Sequence, residues 1–186
     1  MRNIIFKTKG FTIIEMMVTL SIITLLTVMV LAYSRQSESL TNLIRDSDRL
    51  LFKLRQVQSS SMLTLQKSDT SNSICGWGIS FDSTVNNSYI LFHDFCNPSI
   101  NQGDNIYESG EEYETVNLLK GVVITKSDIA SIVFVPPEPK IKISFDGASS
   151  QTLNTTVNIQ MCLEANLPNC FTIHITPAGQ IYKEQL

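Results

Sequence analysis

Residues 11–32 read FTIIEMMVTLSIITLLTVMVLA, 22 residues with a single charge, Glu15. As a helix rising 1.5 Å per residue this stretch is about 33 Å long, enough to cross a bilayer core of about 30 Å. Before it stand Arg2, Lys7 and Lys9 with no acid. By the positive-inside tendency, residues 1–10 stay in the cytoplasm and everything beyond Ala32 lies on the other side. A removable signal peptide would have a shorter apolar run followed by a small-residue cleavage site. Here the run passes directly into Tyr33, Ser34, Arg35 and Gln36, which predicts a retained anchor.

The helix does not have to stop there. No glycine occurs between Gly10 and Gly76, and the first proline is Pro98, so nothing interrupts one very long helix. Leu40, Leu43, Ile44, Leu51, Leu54, Val57, Ser61 and Leu65 recur at helical spacing and predict one apolar stripe. Arg45, Asp46, Asp48, Arg49, Lys53 and Arg55 fill the other faces. The expected division is 1–10, a cytoplasmic leader; 11–33, a membrane helix; 34–67, its amphipathic continuation; and 74–186, a β-rich head. The segment SDTSNS (68–73) reads as a loop.

Beyond Ile74 the period changes. Short β-branched and aromatic runs appear at Ile79–Phe81, Tyr89–Phe92, Thr115–Leu118, Val122–Ile124, Ile129–Val135, Ile141–Phe145, Val157–Cys162 and Phe171–Thr176. Turn residues separate them, among them Lys120-Gly121, Asp146-Gly147 and Asn169-Cys170. A long helix followed by many short strands predicts an α+β fold, the helix packed on an antiparallel sheet.

Four cysteines, Cys75, Cys96, Cys162 and Cys170, all follow the apolar segment. An even number beyond a membrane suits an oxidising compartment, and four allow three connectivities. Two cross-strand pairs fit best. A hairpin turning midway between residues 85 and 86 sets Cys75 opposite Cys96. A second, turning within Asn166-Leu167-Pro168-Asn169, sets Cys162 opposite Cys170.

The string KTKGFTIIEMMVTL (7–20) resembles the processing site of type IV prepilins: basic flank, Gly10, Phe11, then Glu15 four residues on. The resemblance implies cleavage between Gly10 and Phe11 by a prepilin peptidase, N-methylation of Phe11, and assembly with other pilins. It also implies that Glu15 pairs with the amine of an adjoining subunit. An ionised carboxylate in a lipid-embedded helix is costly and usually has a partner. The family's frequent mid-helix proline is missing from Val30-Leu31-Ala32-Tyr33, which leans toward a minor pilin or a type II secretion pseudopilin. WGISF (77–81), SYILF (88–92) and TPAGQIYKEQL (176–186) resemble the GspH/FimT group. The implied setting is the bacterial cytoplasmic membrane, with the head outside and the helix later drawn into a pilus or pseudopilus. The implied role is structural rather than enzymatic, the alternative being a ligand-binding pilin for DNA uptake or adhesion.

Three weaker signals remain. The stretch HDFCNPSINQGDNIYESGEEYE (93–114) offers Asp94, Asp104, Glu108, Glu111 and Glu112 as oxygen donors for calcium, although it does not follow an EF-hand loop. Its other reading is a solvated acidic loop. Cleavage removes Arg2, Lys7 and Lys9 from the 14 basic residues and leaves all 17 acidic ones, a mature net charge of −6. That charge disfavours nucleic acid, whose binding runs on clustered Lys and Arg; Arg45, Arg49, Lys53 and Arg55 sit on the helix, and Lys140 and Lys142 make only a thin local patch. The two histidines, His93 and His174, lie in strand patterns without a nucleophile motif, which argues against an enzyme.

Overall fold

The computed structural model describes residues 10–63, 73–81, 86–97, 99, 102–136, 140–164 and 166–185. Helix α1 runs Ile13–Leu63. Among the described residues ten strands follow: β1 Ile74–Ser80, β2 Ser88–Phe95, β3 Glu112–Asn117, β4 Val122–Ser127, β5 Ser131–Val135, β6 Lys140–Ser144, β7 Ser150–Thr152, β8 Val157–Leu163, β9 Asn166–Ile175 and β10 Ile181–Gln185. The fold is α+β, an N-terminal apolar helix followed by antiparallel sheets. The chain divides into two compact units at residue 38.

In the first unit, Ile13–Leu31 is long and apolar enough to cross a membrane, with a mean hydropathy of 2.3. Its four hydroxyls are all satisfied within the helix. Thr19 donates to the Met16 carbonyl, Ser21 to Met17, Thr24 to Ser21 and Thr27 to Ile23, at 2.8–3.0 Å. A lipid-facing hydroxyl has no water to turn to, so this back-bonding makes the segment tolerable in hydrocarbon.

The second unit holds two sheets. One has the order β3-β2-β1-β5-β6-β7, the other β10-β9-β8-β4. Leu43, Leu50, Leu54 and Val57 of α1 share one core with Ile79, Leu91 and Ile132 of the first sheet and Ile159, Met161 and Ile173 of the second. The buried helix face differs from the predicted stripe. Leu50 is fully buried whereas Ile44 is 45% exposed and Leu40 36%. Two apolar rows run along this helix; the buried one passes through 43, 50, 54, 57 and 61, and of the other Leu51 packs partly buried against the core. Asp46, expected on a solvent face, is buried. Its carboxylate accepts the Leu119 amide at 2.6 Å, tying the β3–β4 connection to α1. Burial raises its pKa, against the opposing pull of that hydrogen bond and of Arg49.

The C-terminal strand is fastened to the same helix. Arg55 donates to the Ile181 carbonyl, Gln58 to Gly179, and Lys183 pairs with Asp48. All eight predicted runs lie on or overlap strands, while β7 and β10 had no predicted counterpart. Gly121 and Gly147 adopt φ of 83° and 72°, the left-handed turn conformation expected after Lys120 and Asp146. Asn169-Cys170, predicted as a turn, lies inside β9. The predicted helix end near Lys67 and most of the loop 68–73 fall outside the described residues.

Cys75 is bonded to Cys96 and Cys162 to Cys170. In the first hairpin the pairs Trp77↔His93 and Ser80↔Ile90 set a register half a residue from the predicted centre. Cys75 falls at the irregularity between Ile74 and Gly76, and that bulge brings it within reach of Cys96. In the second hairpin Cys162 and Cys170 are direct partners. From there to Leu163↔Asn166, β8 advances one residue and β9 four, so the segment predicted as the turn core belongs to a strand with a bulge. Replacing Cys75 and Cys96 by serine opens a 21-residue separation and should cost about 3 kcal/mol by loop entropy. The 8-residue Cys162–Cys170 loop should be worth about 2.5 kcal/mol. Urea denaturation of the two double variants measures both, and the first should lose more.

Candidate processing and assembly segment

Helix α1 begins at Ile13 because Thr12 caps it. The Thr12 hydroxyl accepts the Glu15 amide at 3.3 Å, and the Thr12 carbonyl accepts the Met16 amide at 3.2 Å. Thr12-Ile13-Ile14-Glu15 is therefore a threonine N-cap with glutamate three residues on, the pattern of a capping box. The sequence expectation for Glu15 is a charge in an apolar span that pairs with a neighbouring subunit; the Thr-x-x-Glu spacing is the signal for a second role, in capping. The carboxylate also sits in the first helical turn, where the partial positive charge of the helix end favours an anion.

Ahead of the cap the chain is open. Phe11 is 74% exposed, and a Cβ added at Gly10 would meet nothing within 4 Å. Packing therefore does not explain glycine at position 10, and the Gly10–Phe11 bond lies just before an ordered helix. Glu15 is also exposed. Gly10, Phe11, Thr12 and Glu15 fall within six residues, with the apolar span directly behind them.

The carboxylates of the acidic stretch accept hydrogen bonds from their own segment. Glu111 is nearly buried, and its oxygens accept the amides of Phe95 (3.1 Å) and Glu108 (2.9 Å). Glu112 accepts the Gly110 amide and the Tyr107 hydroxyl, Asp104 the Ile106 amide, and Asp94 the Asn105 amide. Among the described residues no three of His, Cys, Asp and Glu gather into a set that could hold a metal ion. Asp94, Asp104, Glu111 and Glu112 serve as acceptors for the loop's own amides, a short-range use that composition cannot distinguish from ligation. Beside them an open pocket of about 490 Å³ is lined by residues including Phe95, Asn97, Gln102, Asp104, Glu108 and Glu111.

The remaining singled-out residues are structural in their contacts. His93 stacks on Tyr113 at 4.5 Å and meets the edge of Trp77 at 4.2 Å; burial lowers its pKa. His174 lies with Nδ1 2.7 Å from the Asn158 amide oxygen and stacks on Tyr182. Lys142 donates to Thr152, while Lys140 is exposed beside it on β6.

A capped, membrane-length apolar helix with an acid in its first turn is followed by a disulfide-bonded β domain. The family model described as "Prokaryotic N-terminal methylation motif" matches residues 5–31. No curated protein and no solved structure matches the chain. The matched residues enclose Gly10, Phe11, Glu15 and nearly all of the span, and they support membership of the type IV pilin-like prepilins at that level.

Proposed function

We propose that this chain is a structural subunit of the minor pilin or pseudopilin kind. A prepilin peptidase cuts it between Gly10 and Phe11, Phe11 is N-methylated, and the mature helix passes from the cytoplasmic membrane into a filament of equivalent helices. The observation that carries this reading is the methylation motif at residues 5–31. It coincides with an open Gly10–Phe11 bond and a helix capped at Thr12. Transfer from lipid to filament is physically reasonable because both surroundings are apolar. Close packing and polar pairing then govern association more than water exclusion does.

A subunit of the GspH/FimT group is the closer assignment, supported by the words of sequence at 77–81, 88–92 and 176–186. DNA uptake is less well supported, because several lysines of the second unit face acids. Lys53 pairs with Glu114 at 2.6 Å and Lys183 with Asp48, which leaves less free charge for phosphate. The reading is tested by intact mass and N-terminal sequencing of the chain from membranes under non-reducing conditions. A chain starting at methylated Phe11 and lighter by four hydrogens is expected. A chain starting at Met1, or beyond Ala32, overturns the proposal.

A further inference from the structure

Charge is unevenly placed in the second unit. Residues 39–63 of α1 carry four basic side chains against two acidic, whereas residues 73–186 carry five against twelve. Most of the helix charges are engaged. Asp46 is buried, Asp48 pairs with Lys183, Lys53 pairs with Glu114, and Arg55 donates to the Ile181 carbonyl. Arg45 and Arg49 are exposed and form no ion pair or hydrogen bond through their guanidiniums among the described residues. At 100° per residue, Arg45, Arg49, Phe52, Gln56 and Leu63 point within about 60° of one another, opposite the buried row. Phe52 is 64% exposed and Leu63 74%. The row therefore joins two unpaired guanidiniums to two uncovered apolar side chains, a composition that marks a contact surface.

The complementary surface lies on the far side of the same unit. In β2, Tyr89 and Leu91 point into the core shared with α1, so Phe92 points the other way. Tyr107 packs on Phe92 with ring centroids 5.3 Å apart, which sets segment 102–111 on the sheet face away from α1. The open pocket of about 490 Å³ beside that segment is lined by the ring of Phe95 and by the exposed Asp104 and Glu108. Asp104 accepts the Ile106 amide, while the Glu108 carboxylate has no partner among the described residues. A guanidinium suits this lining, because an aromatic face and carboxylates both attract a planar, weakly hydrated cation. The chain cannot supply it from its own row. Arg49 acts on Tyr89, near the start of β2, and Phe95 stands six residues further along that strand, about 20 Å at 3.4 Å per residue.

We propose that the exposed row of α1 docks on the pocket of a second copy of this chain, Arg45 and Arg49 facing Asp104 and Glu108, and Phe52 lying against the rim. The occupant is a second copy because both halves of the contact, opposite in charge, stand on one chain. They are different surfaces on opposite sides of the unit, so the contact is head-to-tail. Such a contact excludes a two-fold pair and continues from copy to copy into a ring or an open series. Two free arginines are a thin footing for a nucleic-acid backbone, whose binding neutralises many phosphates. The inference deepens the filament reading, and rests on it for the meeting of copies, by naming the surfaces that join neighbouring heads.

The test places the photo-crosslinker benzoyl-phenylalanine at position 52 of the full chain in its own membranes, and maps the irradiated product by mass spectrometry. Joining to a peptide that holds Phe95 or residues 102–111 of a second copy is expected. Joining to α1 of the second copy, to a different protein, or to no protein overturns the proposal. Arg45→Glu with Arg49→Glu should cut the product at least about 10-fold, since like charges then meet. Adding Asp104→Lys with Glu108→Lys to the same chain should restore it to within about 3-fold of the native yield. An undiminished product in the arginine variant overturns the pairing; should the charge variants not fold, the position of the native cross-link decides. N-terminal sequencing of the same preparation separates the two readings. The expected cross-link in a chain that starts at Met1 keeps the surfaces and removes the filament. Its absence from a chain that starts at Phe11 removes the surfaces alone.

Discussion

A Glu15→Val variant is expected to be processed and retained in the membrane like the native chain, yet to lose roughly 10²–10³-fold in filament incorporation. The magnitude follows from the proposed pairing of Glu15 with the amine of an adjoining Phe11. Removing one partner of a buried ion pair leaves the other charge uncompensated, at about 3–5 kcal/mol, and each 1.4 kcal/mol is tenfold. Membrane entry should improve slightly, because valine is accepted in a span and an ionised carboxylate is not. The capping contribution cannot account for so large an effect. The Thr12 hydroxyl still accepts the amide of residue 15, so the variant loses only the helix-end charge interaction, about 0.3–1 kcal/mol. Glu15→Asp keeps the charge with a shorter reach and should fall between the two. The readout is the ratio of sheared filament to membrane pool by quantitative blotting. A loss of fivefold or less would leave Glu15 as a capping residue and remove the pairing from the account.

Much of this organisation is legible in the residues, for reasons specific to each part. The span is readable because 22 residues with one charge admit few alternatives, and the long helix because glycine and proline are missing from it. The α+β order follows from a change of period near Ile74. Strands β7 and β10 escape because their sequences, Ser-Gln-Thr and Ile-Tyr-Lys-Glu-Gln, are polar edge strands that bury little. For such strands pairing with a neighbour outweighs side-chain preference. Around Asn166 the sequence offers turn residues, yet the β8–β9 register is held by Cys162↔Cys170 and the buried pairs beyond it. The extra residues are absorbed as a bulge. The acidic stretch is the least legible part. Counting carboxylates shows how many oxygens exist, and only the fold shows that Asp94, Asp104, Glu111 and Glu112 accept amides of their own loop.

The helix stripe supplies the last prediction, because sequence and structure disagree there about two neighbouring apolar rows. Leu50→Ala should cost about 2–5 kcal/mol, the range for emptying a fully buried leucine. Ile44→Ala, at a site 45% exposed, should cost less than about 1 kcal/mol. Both residues are large, aliphatic and at helical spacing from Leu54 or Leu51, so composition cannot rank them. The difference is geometric. Position 50 lies seven residues after Leu43 and four before Leu54, in line with the row that both sheets cover. Position 44 is turned roughly 100° from Leu43. Urea denaturation of the full chain in detergent, followed through the single tryptophan, Trp77, measures both variants. Trp77 packs against the core beside His93 and Tyr113, so its emission reports the second unit. A 2–5 kcal/mol loss is a large share of a domain's usual 5–15 kcal/mol, enough to move the midpoint clearly. Equal losses at both sites would mean that α1 presents a broader face to the sheets than the 43-50-54-57 row, with Ile44 inside the core.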